Sequence, residues 1–519
     1  MFRTYEFDVL TEIIKAFYFI NRRVGVMMEK ETNNRGQWGS NFGFLMAAVG
    51  SAVGLGNIWG FPYKMGASGG FAFLLVYLIL VAFVGVAIMM GELALGRKTG
   101  LGVIGTYRLL SKKFAWVGWL GFLSGFLILS FYSVLGGYTL RYAFGFLMEI
   151  FSKGSGFGGM GSGAFFGSFI VNGGMNLMFH GIFMVLTIVI VMGGISSGIE
   201  KFTKVAMPAL FGMLAIVIIR SLTLEGASTG VAFMFAPNFA AFSEIGFMKV
   251  LKTAAGQMFF SLSLGMGCMI TYGSYLSKSE DLEKNAIIIP VADTIFALCA
   301  GLAVMPAVGA FMSQGVEGIS FGAGPGLLFV TLHQVFSVGM GGLIGNLFGF
   351  MFYFLVFIAA ITSAISLLEV CTAFFIDRDV QKGAVPNRKK HTLIVGAIIF
   401  LVGIPVCLDG LGAGVAGGAT IDIPATIFGM SEVRMAFDCW LDFYDMISEG
   451  VFMPLGAILM SVLIGWVLKT ETVKEEIEAS GLKMKAYAFW DICFKFIVPI
   501  AIAFVLLGQI DDFFALGIF

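Results

Sequence analysis

Long apolar stretches, separated by short polar loops, recur along nearly the whole chain. A helix needs about 20 apolar residues to cross a bilayer, because every backbone polar group must find its partner within the helix there. Only 12% of the residues are charged, whereas soluble domains carry about a quarter. The pattern therefore predicts one large all-α polytopic membrane domain.

The apolar stretches predict eleven membrane spans within a single domain that covers residues 35–519. The spans are predicted near 42–68, 71–95, 114–149, 174–194, 202–224, 252–276, 285–313, 342–376, 392–409, 441–468 and 487–514. Residues 1–34 mix basic residues with aromatic and aliphatic patches, as an amphipathic interfacial helix does. A poorly ordered cytoplasmic tail, or a true start at Met27 or Met28, is the simpler interpretation.

The loops between the spans alternate in charge. Lys and Arg cluster in the N-terminal tail and in the loops 96–113, 195–204, 277–284, 377–391 and 469–486. The loops on the opposite side hold little beyond Lys153, Lys249 and Arg434. Because basic loops stay in the cytoplasm, the N-terminus is predicted to be cytoplasmic and the C-terminus extracytoplasmic, in a plasma or inner membrane. Residues 314–338 form a long, semi-apolar outer connection that is either a re-entrant cap or a plain surface loop.

Residues that would support other functions are scattered or absent from the sequence. The formal charge balances at +0, so nothing indicates a nucleic-acid partner. The three histidines and six cysteines show no metal-ligand or disulfide spacing. We find no catalytic cluster and no repeated selectivity filter, which argues against an enzyme and against a channel.

Two of the predicted spans contain residues that interrupt a helix. The first contains Gly54-Leu55-Gly56-Asn57, and the sixth contains Ser and Gly residues between Ser261 and Gly267. Small residues also allow helices to pack closely, and that alternative explains Gly50 and Gly54 well. Interrupted helices in corresponding halves of a membrane protein nevertheless indicate a central binding site. This rule comes from secondary transporters with inverted repeats. Free N–H groups at such a break attract a carboxylate, and free carbonyl groups attract an ammonium or a hard cation.

These strings resemble the neurotransmitter:sodium symporter family. The resemblance runs from about Arg35 to the last span and is strongest over 38–97, 257–275 and 359–363. It implies the LeuT-type fold, an inverted repeat of spans 1–5 and 6–10 with broken helices 1 and 6, followed by an eleventh helix. Eleven spans without a twelfth resemble the family's bacterial branch.

The resemblance implies two sodium sites made of oxygen ligands, which hard cations prefer. The site beside the substrate would use the Ala52 carbonyl, the Asn57 side chain, Ser261 and Asp293. The second site would use the carbonyls of Gly50, Val53 and Ala359 with the hydroxyls of Thr362 and Ser363. From the residues alone, these two hydroxyls could instead bond back to their own helix. No organic cofactor is expected.

Asp293 is a carboxylate inside an apolar span, and such a residue is a functional candidate by default. Chloride-dependent relatives hold an anion with Tyr, Gln and Ser groups, to which Tyr77, Gln257 and Ser261 correspond. Ala297 stands where those relatives have a further Ser. We therefore expect Asp293 to supply the negative charge and transport to need no chloride.

The family's substrate site carries over onto residues of spans 1, 3, 6 and 8. The substrate carboxylate would meet the Leu55 and Gly56 amides and the Tyr132 hydroxyl. Its ammonium would meet the carbonyls of Ala52, Phe260 and Ser261 and the Ser263 hydroxyl. The side-chain pocket would consist of Ile128, Phe260, Met266, Ser363 and Leu367. Gly54 leaves room for the carboxylate of an amino acid, where monoamine carriers of the family have an acidic residue.

Residues at both ends of the path match gates of the family. Arg35, Trp38, Tyr275 and Asp377 match the inner gate, and Glu369 is a further candidate for that network. At the outer gate Gly60 replaces the usual Arg, while the acidic partner remains as Asp442. Lys64 lies one helical turn after Gly60, and we expect it either to reach toward Asp442 or to extend to the interface.

The resemblance implies a sodium-coupled symporter that imports a hydrophobic amino acid, aromatic ones included, by alternating access. Its partners would be the amino acid, sodium and the lipid bilayer, and assembly as a homodimer stays open. An amino-acid sensor on the same fold is the alternative, because binding residues alone do not demonstrate turnover.

Overall fold

A computed structural model of the chain describes residues 36–316, 319–321, 326–412, 423–425, 433–435 and 439–514. Within these residues, nine continuous helices are long and apolar enough to cross a membrane. They form spans 2, 3, 4, 5, 7, 8, 9, 10 and 11, at Phe71–Thr99, Lys112–Phe151, Gly173–Met192, Ile195–Leu222, Leu282–Ser313, Gly342–Gln381, Arg388–Asp409, Trp440–Val467 and Tyr487–Asp511. The two predicted broken spans, 1 and 6, bring the number of spans to eleven.

Span 1 consists of two half-helices, Asn41–Ala52 and Gly56–Ala67, bent by 47° at the break. Span 6 consists of Phe247–Ser261 and Cys268–Gly273, and the second of these is too short to be recognised as a span by length. We call the side of the basic loops the inner side, so that Asn41–Ala52 and Cys268–Gly273 are the inner halves. The break in span 1 lies at Val53 and Gly54, because Leu55 already has helical dihedral angles.

The two broken spans lie inside the bundle. Spans 3 and 8 are the longest helices and pack along each other. The inner half of span 1 packs against spans 5, 7 and 8, and its outer half packs against spans 6 and 7. The inner half of span 6 packs against spans 2 and 8. Both breaks are therefore shielded from lipid, as non-helical backbone at membrane depth must be.

The connections contain structure that the hydropathy pattern did not predict. Short helices lie in them at Val103–Leu110, Ser162–Ile170, Ala227–Phe235, Leu327–Met340 and Glu471–Glu478. Two short antiparallel strands, Ile423–Ala425 and Val433–Met435, pair between spans 9 and 10. The helix Leu327–Met340 occupies about half of the connection 314–338, for which a re-entrant cap was considered.

Most span boundaries differ from the predicted ones by a few residues, and three differ by more. Span 5 begins at Ile195 rather than near 202, span 6 begins at Phe247 rather than near 252, and span 8 continues to Gln381 rather than to 376. The extra turn of span 5 contains Glu200, a charged residue that we assigned to the loop. Its side chain is buried against span 1, which is how a helix at this depth includes a carboxylate. The predicted tail 1–34 lies outside the described residues.

Candidate functional site

A small cavity lies where the breaks of spans 1 and 6 face spans 3 and 8. It is lined by Ser51, Ala52, Gly54, Gly56, Ile128, Tyr132, Phe260, Ser263, Met266, Ser363 and Leu367. All the predicted substrate residues except Leu55 and Ser261 line it. Ser51 is a lining residue that the sequence analysis did not single out.

The break in span 1 forms a polar end of this cavity. The Leu55 N–H group donates a 3.0 Å hydrogen bond to the Tyr132 hydroxyl oxygen, so two of the three predicted carboxylate-binding groups lie together. A Cβ atom on Gly54 would collide with the Ser363 hydroxyl and lie 2.6 Å from the Tyr132 hydroxyl. Only glycine therefore leaves space for a ligand atom at this position.

The break in span 6 has a backbone that helices cannot contain. Ser263, Gly265 and Gly267 have φ angles of 54°, 76° and 77°, in the left-handed region that favours glycine. The Ser263 hydroxyl donates a 2.8 Å hydrogen bond to the Ser51 carbonyl oxygen. The two breaks are thus joined directly, and polar groups of both face one cavity.

The other end of the cavity is apolar. Ile128, Met266 and Leu367 are all buried, and the Phe260 ring lies 6.3 Å from the Tyr132 ring, centroid to centroid. A ligand that fills the cavity therefore needs a polar end for the helix breaks and an apolar end for this pocket. The thioether of methionine adapts its shape and makes favourable contacts with aromatic rings.

A network of hydrogen bonds joins the groups predicted for the first sodium site. The Asn57 amide donates to Asp293 Oδ1 at 2.7 Å and to the Ser261 hydroxyl oxygen at 3.0 Å. The Ser261 hydroxyl donates to Asp293 Oδ2 at 2.8 Å. Oxygen atoms from spans 6 and 7 therefore meet the Asn57 amide nitrogen of span 1, while the Asn57 side-chain oxygen, the atom that a hard cation would use, accepts a 3.0 Å hydrogen bond from the Gly54 N–H group. This donor set fits a sodium ion carried as substrate.

The residues that correspond to a chloride site surround the same carboxylate. The Tyr77 hydroxyl lies 3.4 Å from Asp293 Oδ2, on the oxygen atom that also accepts from Ser261. Gln257 donates to the Gly56 carbonyl oxygen at 2.7 Å. Ala297, the position without the expected hydroxyl, is fully buried. The Asp293 carboxylate thus occupies the place where tyrosine and serine hydroxyls converge.

The groups predicted for the second sodium site meet at the Ser363 hydroxyl. This hydroxyl donates its shortest hydrogen bond, 3.0 Å, to the Ser51 carbonyl oxygen, and it lies 3.4 Å from each of three predicted ligands, the carbonyl oxygens of Gly50, Val53 and Ala359. The Thr362 hydroxyl bonds back to the Ala359 carbonyl at 2.9 Å. The hydroxyls of span 8 therefore bond back to their own helix, and the Ser363 hydroxyl also lies near carbonyl oxygens of span 1. The five oxygen atoms form an all-oxygen set that fits sodium.

Comparison with known proteins decides the family. The profile of the sodium:neurotransmitter symporter family matches residues 35–152 and 167–416. The chain belongs to this family. The all-α fold with two broken spans, predicted from the resemblance, is thereby confirmed together with the family.

Individual relatives agree with this assignment. The crystal structure of MhsT in complex with L-phenylalanine superposes with a TM-score of 0.77 at 39% identity, covering 92% of this chain and all of that one. The sodium-dependent transporter YhdH of Bacillus subtilis is 37% identical over 91% of this chain and 97% of its own. The rat sodium-dependent neutral amino acid transporter B(0)AT2 is 28% identical over 55% of this chain and 44% of its own. The chain is a multi-pass membrane protein of a family that uses sodium.

On the inner side of this symporter, aromatic residues predicted for the inner gate pack together. The Trp38 indole donates a 3.1 Å hydrogen bond to the Tyr272 carbonyl, and its ring packs edge-on against Tyr272 and Tyr275. Asp377 accepts a 2.7 Å hydrogen bond from the Gly102 N–H group. Arg35, the fourth predicted gate residue, lies outside the described residues.

Glu369 is the centre of a second inner network. It accepts hydrogen bonds from the Tyr275 hydroxyl at 2.7 Å and from Arg388 at 2.6 and 3.0 Å. Two parallel bonds of this kind fix an Arg–carboxylate pair firmly. We suggested Glu369 for this network, but we missed Arg388 because it lies in a run of loop cations, with Lys389 and Lys390, that resembles a solvated surface.

On the outer side, the structure corrects the expected partner of Lys64. Its ammonium lies 3.2 Å from Glu449 Oε1, and Glu449 is two helical turns after Asp442 along span 10. Asp445 lies one turn before Glu449. Sequence reasoning chose Asp442 from the family pattern alone. Two further carboxylates inside span 10, Asp445 and Glu449, were the available signal, and we overlooked them.

Proposed function

We propose that this symporter imports a hydrophobic amino acid together with sodium. The observation that carries the proposal is that one cavity has the breaks of spans 1 and 6 at one end and an apolar pocket at the other. N–H groups at the start of a half-helix suit a carboxylate, and carbonyl groups at a break suit an ammonium. An α-amino acid carries both groups on one carbon atom, with its side chain directed away from them.

The apolar pocket favours a bulky side chain, aromatic ones included. The apolar lining by Ile128 and Leu367 and the adaptable Met266 support this choice. L-phenylalanine is the ligand in the solved MhsT complex, and B(0)AT2 is named as a neutral amino acid transporter. Both point toward an uncharged substrate for this chain.

Two sodium ions are proposed to bind, one at the Asn57–Asp293 network and one around Ser363. Asp293 places a fixed negative charge between the hydroxyls of Tyr77 and Ser261. A bound chloride would be repelled there, because two negative charges would lie within contact distance in a medium of low dielectric constant. Transport is therefore proposed to be independent of chloride.

The proposed mechanism is alternating access without covalent chemistry. Substrate and sodium bind while the site faces out, and the Lys64–Glu449 pair then bridges spans 1 and 10 on the outer side. Release toward the inner side requires Trp38 and the Glu369–Arg388 pair to separate. The alternating loop charges support a cytoplasmic N-terminus and an extracytoplasmic C-terminus, so inward means toward the cytoplasm.

Uptake of labelled amino acids into proteoliposomes tests the proposal. We expect leucine, methionine and phenylalanine to accumulate when sodium is outside and potassium inside. Lysine and glutamate should not accumulate. A sensor would bind an amino acid in a sodium-dependent manner and show no uptake under the same gradient. That result would contradict the proposal of a carrier and support an amino-acid sensor.

A further inference from the structure

The carboxylate of Glu200, in the first turns of span 5, holds the inner end of span 1. It accepts a 2.6 Å hydrogen bond from the Gly39 N–H group and a 3.0 Å hydrogen bond from the Ser40 hydroxyl. The Ser40 oxygen in turn accepts from the Gly43 N–H group at 3.0 Å. Glu200 is only 2% exposed. Span 1 is therefore capped by Ser40 and anchored, through the same hydroxyl, to another helix.

The contact is electrostatically favourable and sterically close. The inner half of span 1 begins at Asn41 and is 12 residues long, so its N-terminal end carries the positive partial charge that attracts a carboxylate. A Cβ atom on Gly43 would overlap the Glu200 side chain. Lys204, one turn further along span 5, lies 2.6 Å from the same carboxylate on its more exposed side.

The same face of span 5 continues to the second sodium site. Met207 lies two helical turns after Glu200, and its sulfur would be 3.1 Å from a Cβ atom built on Gly50. On its other side, that position is 3.2 Å from the Thr362 Cβ atom. Gly50 and Thr362 are two of the predicted sodium ligands. Span 5 therefore covers the inner half of span 1 from its first residue to the ion site.

We propose that Glu200 is a latch that keeps the second sodium site closed toward the inner side. Its hydrogen bonds hold the first residues of span 1 on span 5, so span 1 cannot tilt away and expose Gly50. Release of the latch separates the two helices along the face that ends at Met207 and opens the ion site. Glu200 is a positioning residue, since it contacts span 1 and neither sodium nor the amino acid. The inference rests on the proposed function, because it assigns the latch to the step in which sodium leaves.

The variant Glu200→Gln tests the latch with little change in size. It removes the negative charge and leaves one acceptor oxygen for two donors. We expect faster hydrogen–deuterium exchange of the backbone amides between residues 39 and 50 in sodium-containing detergent solution. The sodium concentration for half-maximal amino-acid binding should rise about tenfold, as the loss of a charge-assisted hydrogen bond predicts when it shifts a conformational balance.

Lys204→Met is the matched control. It removes the cation beside Glu200 and leaves both hydrogen bonds to span 1 in place. The Lys204 side chain is 37% exposed, so water can take the place of its ammonium beside the carboxylate. We expect exchange and sodium dependence close to those of the wild-type protein. Ser40→Gly is a third variant, because glycine still serves as an N-cap, and it should shift both readouts in the same direction as Glu200→Gln but less.

Two results would overturn the latch. One is unchanged exchange over 39–50 in Glu200→Gln, and the other is an equal effect of Lys204→Met and Glu200→Gln. If Glu200→Gln does not fold, Ser40→Gly with wild-type exchange has the same meaning. Failure of the proposed function has a different signature, since the wild-type protein itself would then show no sodium-driven uptake while the exchange comparison remains interpretable.

Discussion

The amide of Asn57 and the carboxylate of Asp293 meet across spans 1 and 7 at 2.7 Å. Asn57 lies in the first turn after the break in span 1, where its side-chain oxygen also accepts a 3.0 Å hydrogen bond from the Gly54 N–H group. The position of the break and the buried charge are thereby coupled.

The first prediction concerns the charge at Asp293. We expect the variant Asp293→Asn to raise the sodium concentration for half-maximal uptake about tenfold or more, because the ion loses a charged ligand in a dry site. Wild-type uptake should be unchanged when gluconate replaces chloride. The measurement is initial uptake against sodium concentration, in both anions, for both proteins.

Each protein serves as the other's control in that experiment. If the wild-type protein stopped transporting in gluconate, Asp293 would not be the negative charge that replaces chloride. If the sodium dependence of Asp293→Asn equalled that of the wild-type protein, Asp293 would not be a sodium ligand.

The second prediction concerns the size of the apolar pocket. Met266→Phe places a rigid ring where a flexible thioether lies, so it should weaken phenylalanine uptake at least about tenfold relative to alanine uptake. The ratio of kcat/KM for the two amino acids measures the change. Met305→Leu, at a buried methionine of span 7 outside the cavity lining, is the control and should leave the ratio unaltered. An equal loss for both amino acids in Met266→Phe would contradict a selective pocket.

The sequence predicted the fold and the cavity because both depend on local features. Apolar length determines the spans, and the Gly and Ser residues near Gly54 and Gly265 break two of them. The family resemblance then located most of the cavity lining. The break in span 1 proved to lie at Val53 and Gly54, because Leu55–Asn57 already begin the outer half-helix.

What the sequence did not predict depends on contacts between distant helices. Arg388 lies in a segment where a charged residue normally faces solvent or lipid headgroups, whereas Glu449 lies inside span 10, where the sequence shows the charge but not its partner. Their partners, Lys64 and Glu369, come from other spans. Nothing in the local sequence around Glu200 indicates that it meets Gly39 rather than water. Such pairs become visible only when the packing of the helices is known.

The third prediction concerns the outer pair. Lys64→Met and Glu449→Gln should each slow uptake, because each leaves a half-buried charge without its partner. The double variant should lose less than the sum of both losses, with a coupling energy of about 1 kcal/mol. Initial uptake rates of the four proteins form the cycle. Additive effects would show that the pair does not act as a unit.

The fourth prediction concerns the helix Leu327–Met340 in the outer connection. His333 is 2% exposed, and its Nδ1 atom lies 2.7 Å from the Ser162 hydroxyl. Burial lowers its pKa from 6.5 to about 4, Glu149 raises it slightly, and Arg141 lowers it further. The unfolded chain therefore binds a proton between pH 6.5 and about 4 that the folded protein does not bind. The stability of the folded protein should therefore fall as the pH falls from 6.5 to about 4. Above pH 6.5, His333 should make no pH-dependent contribution to stability.

The variant His333→Gln separates this contribution from that of the carboxylates. Its melting temperature should decline less between pH 7 and pH 4 than that of the wild-type protein. Identical declines in both proteins would show that the His333 ring is not held neutral.

The central claim is that a sodium gradient drives an amino acid through the cavity between the two breaks. The most direct measurement is the accumulation of labelled phenylalanine in proteoliposomes under an inward sodium gradient, before and after a sodium ionophore is added. We predict accumulation above the external concentration, its collapse with the ionophore, and no accumulation in Gly54→Ala, whose added methyl group collides with Ser363. Equal accumulation with and without the gradient, or wild-type accumulation in Gly54→Ala, would contradict the claim.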